Sequence, residues 1–297
     1  MAKENKDDAR AQARPRLTSG FVFKSVFGEE ADLTRELIEL SLERGISNVE
    51  IVQGERELDV LPSSRAGRVD VYATDAEGND FDVEVQAESG GNELLRARHY
   101  QSLMDATRLR KGEDVERIRD SIVVFVCDFD PLEGGLSRYD LRTVCLQTGE
   151  PVADGRRIVM LNARGPLDDV PAPLAAFLRL VAGQEVEGDP FCDRVNAIID
   201  RKVADPKWME DYMTFEDELE AARRNAEKRG IAIGEERGEK RGIAIGEERG
   251  EKRKAVELAL KLVRSGAMAP EDAADFAEVD LAELEHELAR ADEEPVG

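Results

Sequence analysis

Histidine is almost missing from this chain: of 297 residues, only His99 and His286 carry an imidazole. That scarcity excludes a Ser/His/Asp triad, an HExxH zinc site and a histidine-based nuclease centre. Cysteine is nearly as sparse. Cys127, Cys145 and Cys192 form an odd, widely spaced set without a CxxC pair, which excludes a disulfide frame and a zinc knuckle and suits a reducing cytoplasm. No run of about 18 apolar residues occurs, and the opening MAKENKDDARAQARPR lacks an apolar signal-peptide core. The expectation is a cytoplasmic protein with no membrane partner. GxxxxGK[ST] and a GxGxxG after a strand are also missing, which excludes the common phosphate-cradling loops.

Charge, by contrast, is plentiful. Acidic residues number 65 against 42 basic ones, for a net charge of −23, while a hydrophobic fraction of 41% is enough to bury a core. One compact domain with a solvated helical appendage fits these proportions. With so little imidazole and thiol, metal chemistry here must be carboxylate chemistry, and oxygen donors select hard cations such as Mg²⁺ or Mn²⁺.

The order of patterns predicts an α/β core. Residues 1 to 16 are polar and read as a flexible arm. FVFKSVFGEEADLTRELIELSLERGI has helical spacing at Leu33, Leu37, Ile38 and Leu40, with Gly45 placed as a stop. Alternating strand patterns follow at 49 to 53, 67 to 74 and 80 to 86. NELLRARHYQSLMDATRLRKG predicts a helix from the Gly90-Gly91 break to Gly112, and SIVVFVCDF a central strand buried on both faces. YDLRTVCLQ and RRIVMLNA read as two more strands, and 173 to 204 and 208 to 228 as helical, so the core domain spans 17 to 228.

A perfect repeat of RGIAIGEERGEK then fills 229 to 252, with glycine at 230, 234, 238, 242, 246 and 250. Each glycine costs a helix about 0.5 to 1 kcal/mol relative to alanine. A glycine every fourth residue also allows close backbone approach, and each unit balances three Glu against two Arg and one Lys. The segment reads either as a helical extension that self-associates, making a homo-oligomer, or as a flexible linker. Residues 253 to 297 read as three short helices with five basic and twelve acidic side chains, a poor surface for a polyanion.

The sharpest chemical signal is GRVDVYATDAEGNDFDVEVQ, 67 to 86. Period two sets Asp70, Glu84 and Gln86 opposite the valine face, and a hairpin centred on Glu77 puts Asp70 across from Glu84. Facing Cβ atoms in such a pair are about 4.5 to 5.5 Å apart, close enough for two carboxylates to repel unless a cation lies between them. A divalent metal held by Asp70, Glu84, a backbone carbonyl and waters resolves the repulsion, and would activate water toward a phosphodiester. The competing reading is a hairpin whose polar face meets solvent.

The succession FKSVFG (23 to 28), RVDVYATDAEGNDFDVEVQ, RARHYQSLMD (96 to 105), KGEDVERI (111 to 118) and SIVVFVCDF resembles the Rpn-type branch of the PD-(D/E)XK nuclease superfamily, the recombination-promoting nucleases or putative transposases. The resemblance covers about 17 to 165. It implies a restriction-endonuclease-like mixed sheet flanked by helices, and Mg²⁺-dependent (or Mn²⁺-dependent) DNA endonuclease activity linked to recombination or mobile elements. Asp70, Glu84 and Gln86 take the catalytic positions, with Asp70 and Glu84 on the metal. Gln86 stands where the superfamily usually has lysine; it can orient a water but brings no positive charge. An early-helix glutamate, Glu36 or Glu39, is a further metal ligand in many relatives.

DNA is the implied partner, so the acidic chain must segregate its cations. Arg10, Arg14, Arg16 and Lys24 form one basic stretch, and Arg96, Arg98, Arg108, Arg110 and Lys111 another. Arg96, Arg98 and Arg110 are the expected backbone contacts, with Arg98 expected near the metal. The alternative function is a catalytically weak or inactive nuclease-fold protein that binds and assembles through its C-terminal tail.

Overall fold

A computed structural model describes residues 14–51, 57–58, 67–68, 70–109 and 112–293, so residues 1 to 13 of the expected arm, Val69, Arg110 and Lys111 lie outside the described residues. The chain divides into two compact units, 1 to 216 and 217 to 297.

Unit 1 opens with α1 (Gly20–Phe27) and α2 (Ala31–Leu42). The single helix expected here breaks at Gly28, whose amide donates to the Lys24 carbonyl at 2.8 Å; a Cβ at Gly28 would meet that carbonyl at 2.5 Å. α2 stops at Glu43, which takes a left-handed φ of 53°, two residues ahead of the glycine the sequence offered as its stop. Short strands β1 (Val49–Ile51), β2 (Glu57–Leu58) and β3 (Gly67–Arg68) lead to the hairpin of β4 (Val71–Asp75) and β5 (Asp80–Gln86). Next come α3 (Glu93–Arg108), β6 (Ser121–Cys127), β7 (Arg138–Arg142) and β8 (Arg156–Asn162). α4 (Ala172–Val181) and α5 (Pro190–Val203) occupy the stretch 173 to 204 expected as helical, and α6 runs from Pro206 to Arg264.

The main sheet has the order β1-β4-β5-β6-β8-β7, with β5, β6 and β8 parallel and the outer pairings antiparallel. Every residue of β6 is buried, as its unbroken apolar run predicts for a strand covered on both faces. Alternation assigns the two faces. Val71, Phe81, Val83, Val85, Ile122, Val124 and Leu161 pack with α1, α2, α4 and α5, while Tyr72, Val123, Phe125, Cys127 and Met160 pack beneath Ala97, Tyr100, Leu103 and Met104 of α3. The far end of α3 is tied to the start of β5, because Arg108 pairs with Asp80 and donates to the Gly78 carbonyl at 3.1 Å. This fixes the helix over the hairpin. The start of α6 belongs to the same unit: Trp208 stacks on Tyr212 and meets Phe21 of α1 at 5.3 Å between ring centroids.

In unit 2 the end of α6 packs with α7 (Pro270–Phe276) and α8 (Leu281–Glu293) around Ala259, Ala273, Ala274 and Leu284. The repeat is helical throughout, so it is a helical extension continuous with 208 to 228 and with the first of the three tail helices expected. A twelve-residue unit advances an α-helix by three turns plus about 120°. Ile231, Ile233, Ile243 and Ile245 are accordingly spread around the helix and all exposed, and among the described residues nothing beyond the helix's own neighbouring backbone lies within 4 Å of where a Cβ would stand on any of the six repeat glycines. Among the described residues no helix is long and apolar enough to cross a membrane.

Candidate active site

The β4–β5 register pairs Val71 with Val83 and Tyr72 with Asp82, which carried one step back sets Asp70 opposite Glu84. The two acids interlock. The Asp70 amide donates to Glu84 Oε1 at 3.0 Å, and the Val85 amide donates to Asp70 Oδ2 at 3.0 Å. Glu84 has 1% exposure and Asp82, two residues earlier on the same face, has none, so this polar face is covered by α3 and does not meet solvent. Asp70 is half-buried beside α1, where Gly20 leaves room: a Cβ there would stand 3.7 Å from Asp70 Oδ1. Gln86 is at the partly exposed end of β5.

Among the described residues one cation enters this pocket directly. Arg96, in the first turn of α3, donates from Nη2 to Glu84 Oε2 at 2.7 Å, and from Nη2 and Nε to Tyr100 Oη at 3.0 and 3.3 Å. Its guanidinium also lies over Phe125, 5.4 Å from the ring centroid. Arg96, expected on the DNA side, is turned inward onto Glu84, a buried carboxylate at the centre of the face that needs a partner.

Burial raises the proton affinity of all three acids. Asp82 is held well above the usual carboxylate range by loss of solvent and then by Asp70, and Glu84 by loss of solvent and then by Asp82 and Asp70; Asp70 is raised less, since the Val85 amide, Arg96 and Lys24 favour its ionised form. Both Asp82 oxygens are buried with no hydrogen-bond partner. An acid raised by folding binds protons in the native state that the unfolded chain has already lost, so its stabilising contribution is complete below the ordinary carboxylate pKa and fades as pH rises through the raised value. Asp82→Asn should therefore melt above wild type by a margin that grows as pH rises above the ordinary carboxylate range, read from parallel thermal melts; a constant margin would mean that Asp82 ionises normally.

The donor chemistry fits a hard divalent cation. Asp70 and Glu84 each hold a carboxylate against the backbone of the other's strand, and Asp82 is buried on the same face as Glu84 without a hydrogen-bond partner. Among the described residues no three His, Cys, Asp or Glu side chains form a cage. Mg²⁺ is ordinarily held by one or two carboxylates with waters and substrate phosphate, so the pair suffices. Both early-helix glutamates have other partners: Glu36 pairs with Arg194, and Glu39 accepts from Arg35 and from the Ile46 amide at 3.0 Å.

On the expected substrate side, Arg98 is exposed on α3 and borders a groove of about 370 Å³ with Arg142 and Arg156, two cations the sequence reading did not select. Arg14 and Arg16 are paired with Asp200 and Asp128 at 2.9 and 2.8 Å. His99 is exposed. Asp82 was missed although its signal was available, since DFDVEVQ sets it on the same face as Glu84 by period two.

No curated protein and no solved structure matches the chain. A family model does match, that of the PD-(D/E)XK nuclease family transposases, over residues 17–162. That span takes in α1, α2, the hairpin, α3 and every strand of the mixed sheet, with α4 and α5 following it, and the whole is the restriction-endonuclease-like arrangement the sequence resemblance implied. Residues 17–162 of the chain are thus similar in sequence and in fold to the PD-(D/E)XK nuclease family transposases, a family of nuclease type.

Proposed function

We propose that the protein is a metal-dependent DNA endonuclease that hydrolyses phosphodiester bonds with Mg²⁺ or Mn²⁺, in recombination or in the movement of genetic elements. The observation that carries this reading is the interlocked Asp70–Glu84 pair, brought together on a covered sheet face within the segment that matches the nuclease family. Asp70 and Glu84 would hold the metal, which when bound supplies Lewis acidity and a water of lowered pKa. Gln86, two residues beyond Glu84 on the same face, orients that water or a phosphate oxygen through its amide. α3 and the apolar side chains beneath it keep bulk water from Glu84, which strengthens every charge interaction there. Arg98, with Arg142 and Arg156, contacts the DNA backbone without reading sequence; their exposed pairs with acids are weak enough to exchange for phosphate.

A second reading, a weak or inactive nuclease-fold protein that binds and assembles through its tail, draws on the fact that both Glu84 oxygens already have partners. Supercoiled plasmid nicking separates the two. Wild type should nick in Mg²⁺ or Mn²⁺ and stop on chelation, and Glu84→Ala should not nick under either metal; a folded wild type with no metal-dependent nicking would leave the second reading standing.

A further inference from the structure

Three acids and a single guanidinium share the covered face of the hairpin. Asp70, Asp82 and Glu84 supply three carboxylates, and among the described residues Arg96 is the one cation that touches any of them. Lys24 is close enough to favour ionised Asp70 but makes no such contact. β5 itself brings no positive charge, since Gln86 carries an amide. Phosphodiester hydrolysis nevertheless builds negative charge on phosphate oxygens, and a guanidinium matches that geometry with two parallel donors.

The seating of Arg96 suits a group that changes partners. Its head is anchored by Tyr100 Oη and by the faces of Phe125 and Tyr100, 5.4 and 5.6 Å from its central carbon, while 31% of the side chain remains exposed. The bond to Glu84 is one donor on one oxygen. A divalent cation on Glu84 and a guanidinium on the same carboxylate repel at contact range, so each must weaken the binding of the other.

We propose that Arg96 holds the metal's place on Glu84 and, once displaced, turns the same guanidinium to the phosphate under attack. This rests on the nuclease reading and adds a residue with two successive roles: competitor for the metal site, then catalytic cation. The two roles pull measurements in opposite directions, which no merely structural role would do.

The test is Arg96→Gln in the full chain, with Mn²⁺ affinity measured by titration calorimetry without DNA and nicking measured on plasmid. Loss of the competitor should tighten Mn²⁺ binding by about tenfold, while loss of the phosphate cation should slow nicking on the order of 100-fold. Unchanged or weaker Mn²⁺ binding would overturn the competitor role, and unchanged nicking the catalytic one. If wild type binds no Mn²⁺ at all, the nuclease reading falls and takes this proposal with it. Should Arg96→Gln fail to fold, Arg96→Lys keeps the proposal at risk, because an ammonium still neutralises Glu84 but lacks the planar fork. Its Mn²⁺ affinity should stay within about threefold of wild type and its nicking fall about tenfold, and wild-type nicking would overturn the phosphate role.

Discussion

Asp70→Asn is expected to abolish metal-dependent nicking, by at least about 100-fold, while leaving the metal-free protein as stable as wild type or more so. Even the residues that merely support metal ligands cost about 10 to 100-fold when lost, so a ligand itself should cost no less. The stability arm runs the other way. The asparagine carbonyl can still accept the Val85 amide, so the shape persists. What disappears is repulsion from Asp82 and Glu84, worth up to about 1 kcal/mol at a partly solvated site, or about 2 to 4 °C in Tm for a domain of this size. A cation that binds only the folded protein stabilises it by about 2.7 kcal/mol at 100 times its Kd. Wild type should thus gain several degrees across a Mn²⁺ titration and Asp70→Asn almost none. Equal metal responses would show that the hairpin acids hold no metal, and the weak or inactive reading would lead.

Phe125→Ala should be the most damaging change to the fold among those near the site. Phe125 is fully buried at the middle of β6, paired in register with Glu84 on one side and Met160 on the other, and its ring lies under the Arg96 guanidinium. Emptying such a position costs about 3 to 5 kcal/mol through lost burial and the cavity left behind. The Tm should fall by roughly 6 to 20 °C. Chemical denaturation of wild type, Phe125→Leu and Phe125→Ala reads the effect directly, with Phe125→Leu expected between the other two. A Phe125→Ala midpoint indistinguishable from wild type would mean that α3 does not cover this face as a packed layer.

Much of this architecture was legible in local patterns. β6 announced itself as a central strand because six successive apolar residues, Ile122 to Cys127, have no solvent-facing side. The hairpin register followed from period two and a turn at 76 to 79, and that alone sets Asp70 opposite Glu84. Helix ends were less legible. The break at Gly28 depends on an approach to the Lys24 carbonyl, and the stop at Glu43 on a left-handed residue that composition does not reveal. The continuous α6 was also hidden, since six glycines argue against a helix locally while its two ends are secured by packing elsewhere, on α1 and on α7 and α8.

By itself, then, the sequence determined the strand order of the chemistry: which acids share a face, that carboxylate is the available metal chemistry, and that no lysine follows Glu84 on its strand. Tertiary structure decided what those acids meet. A polar strand face looks the same in sequence whether water or a helix covers it, and only the crossover of α3 from β5 to β6 buries Glu84 and Asp82 and delivers Arg96 to them. Burial removes the water that would otherwise solvate each charge, so a pattern that reads locally as a wet strand becomes a pocket of raised acids around one guanidinium.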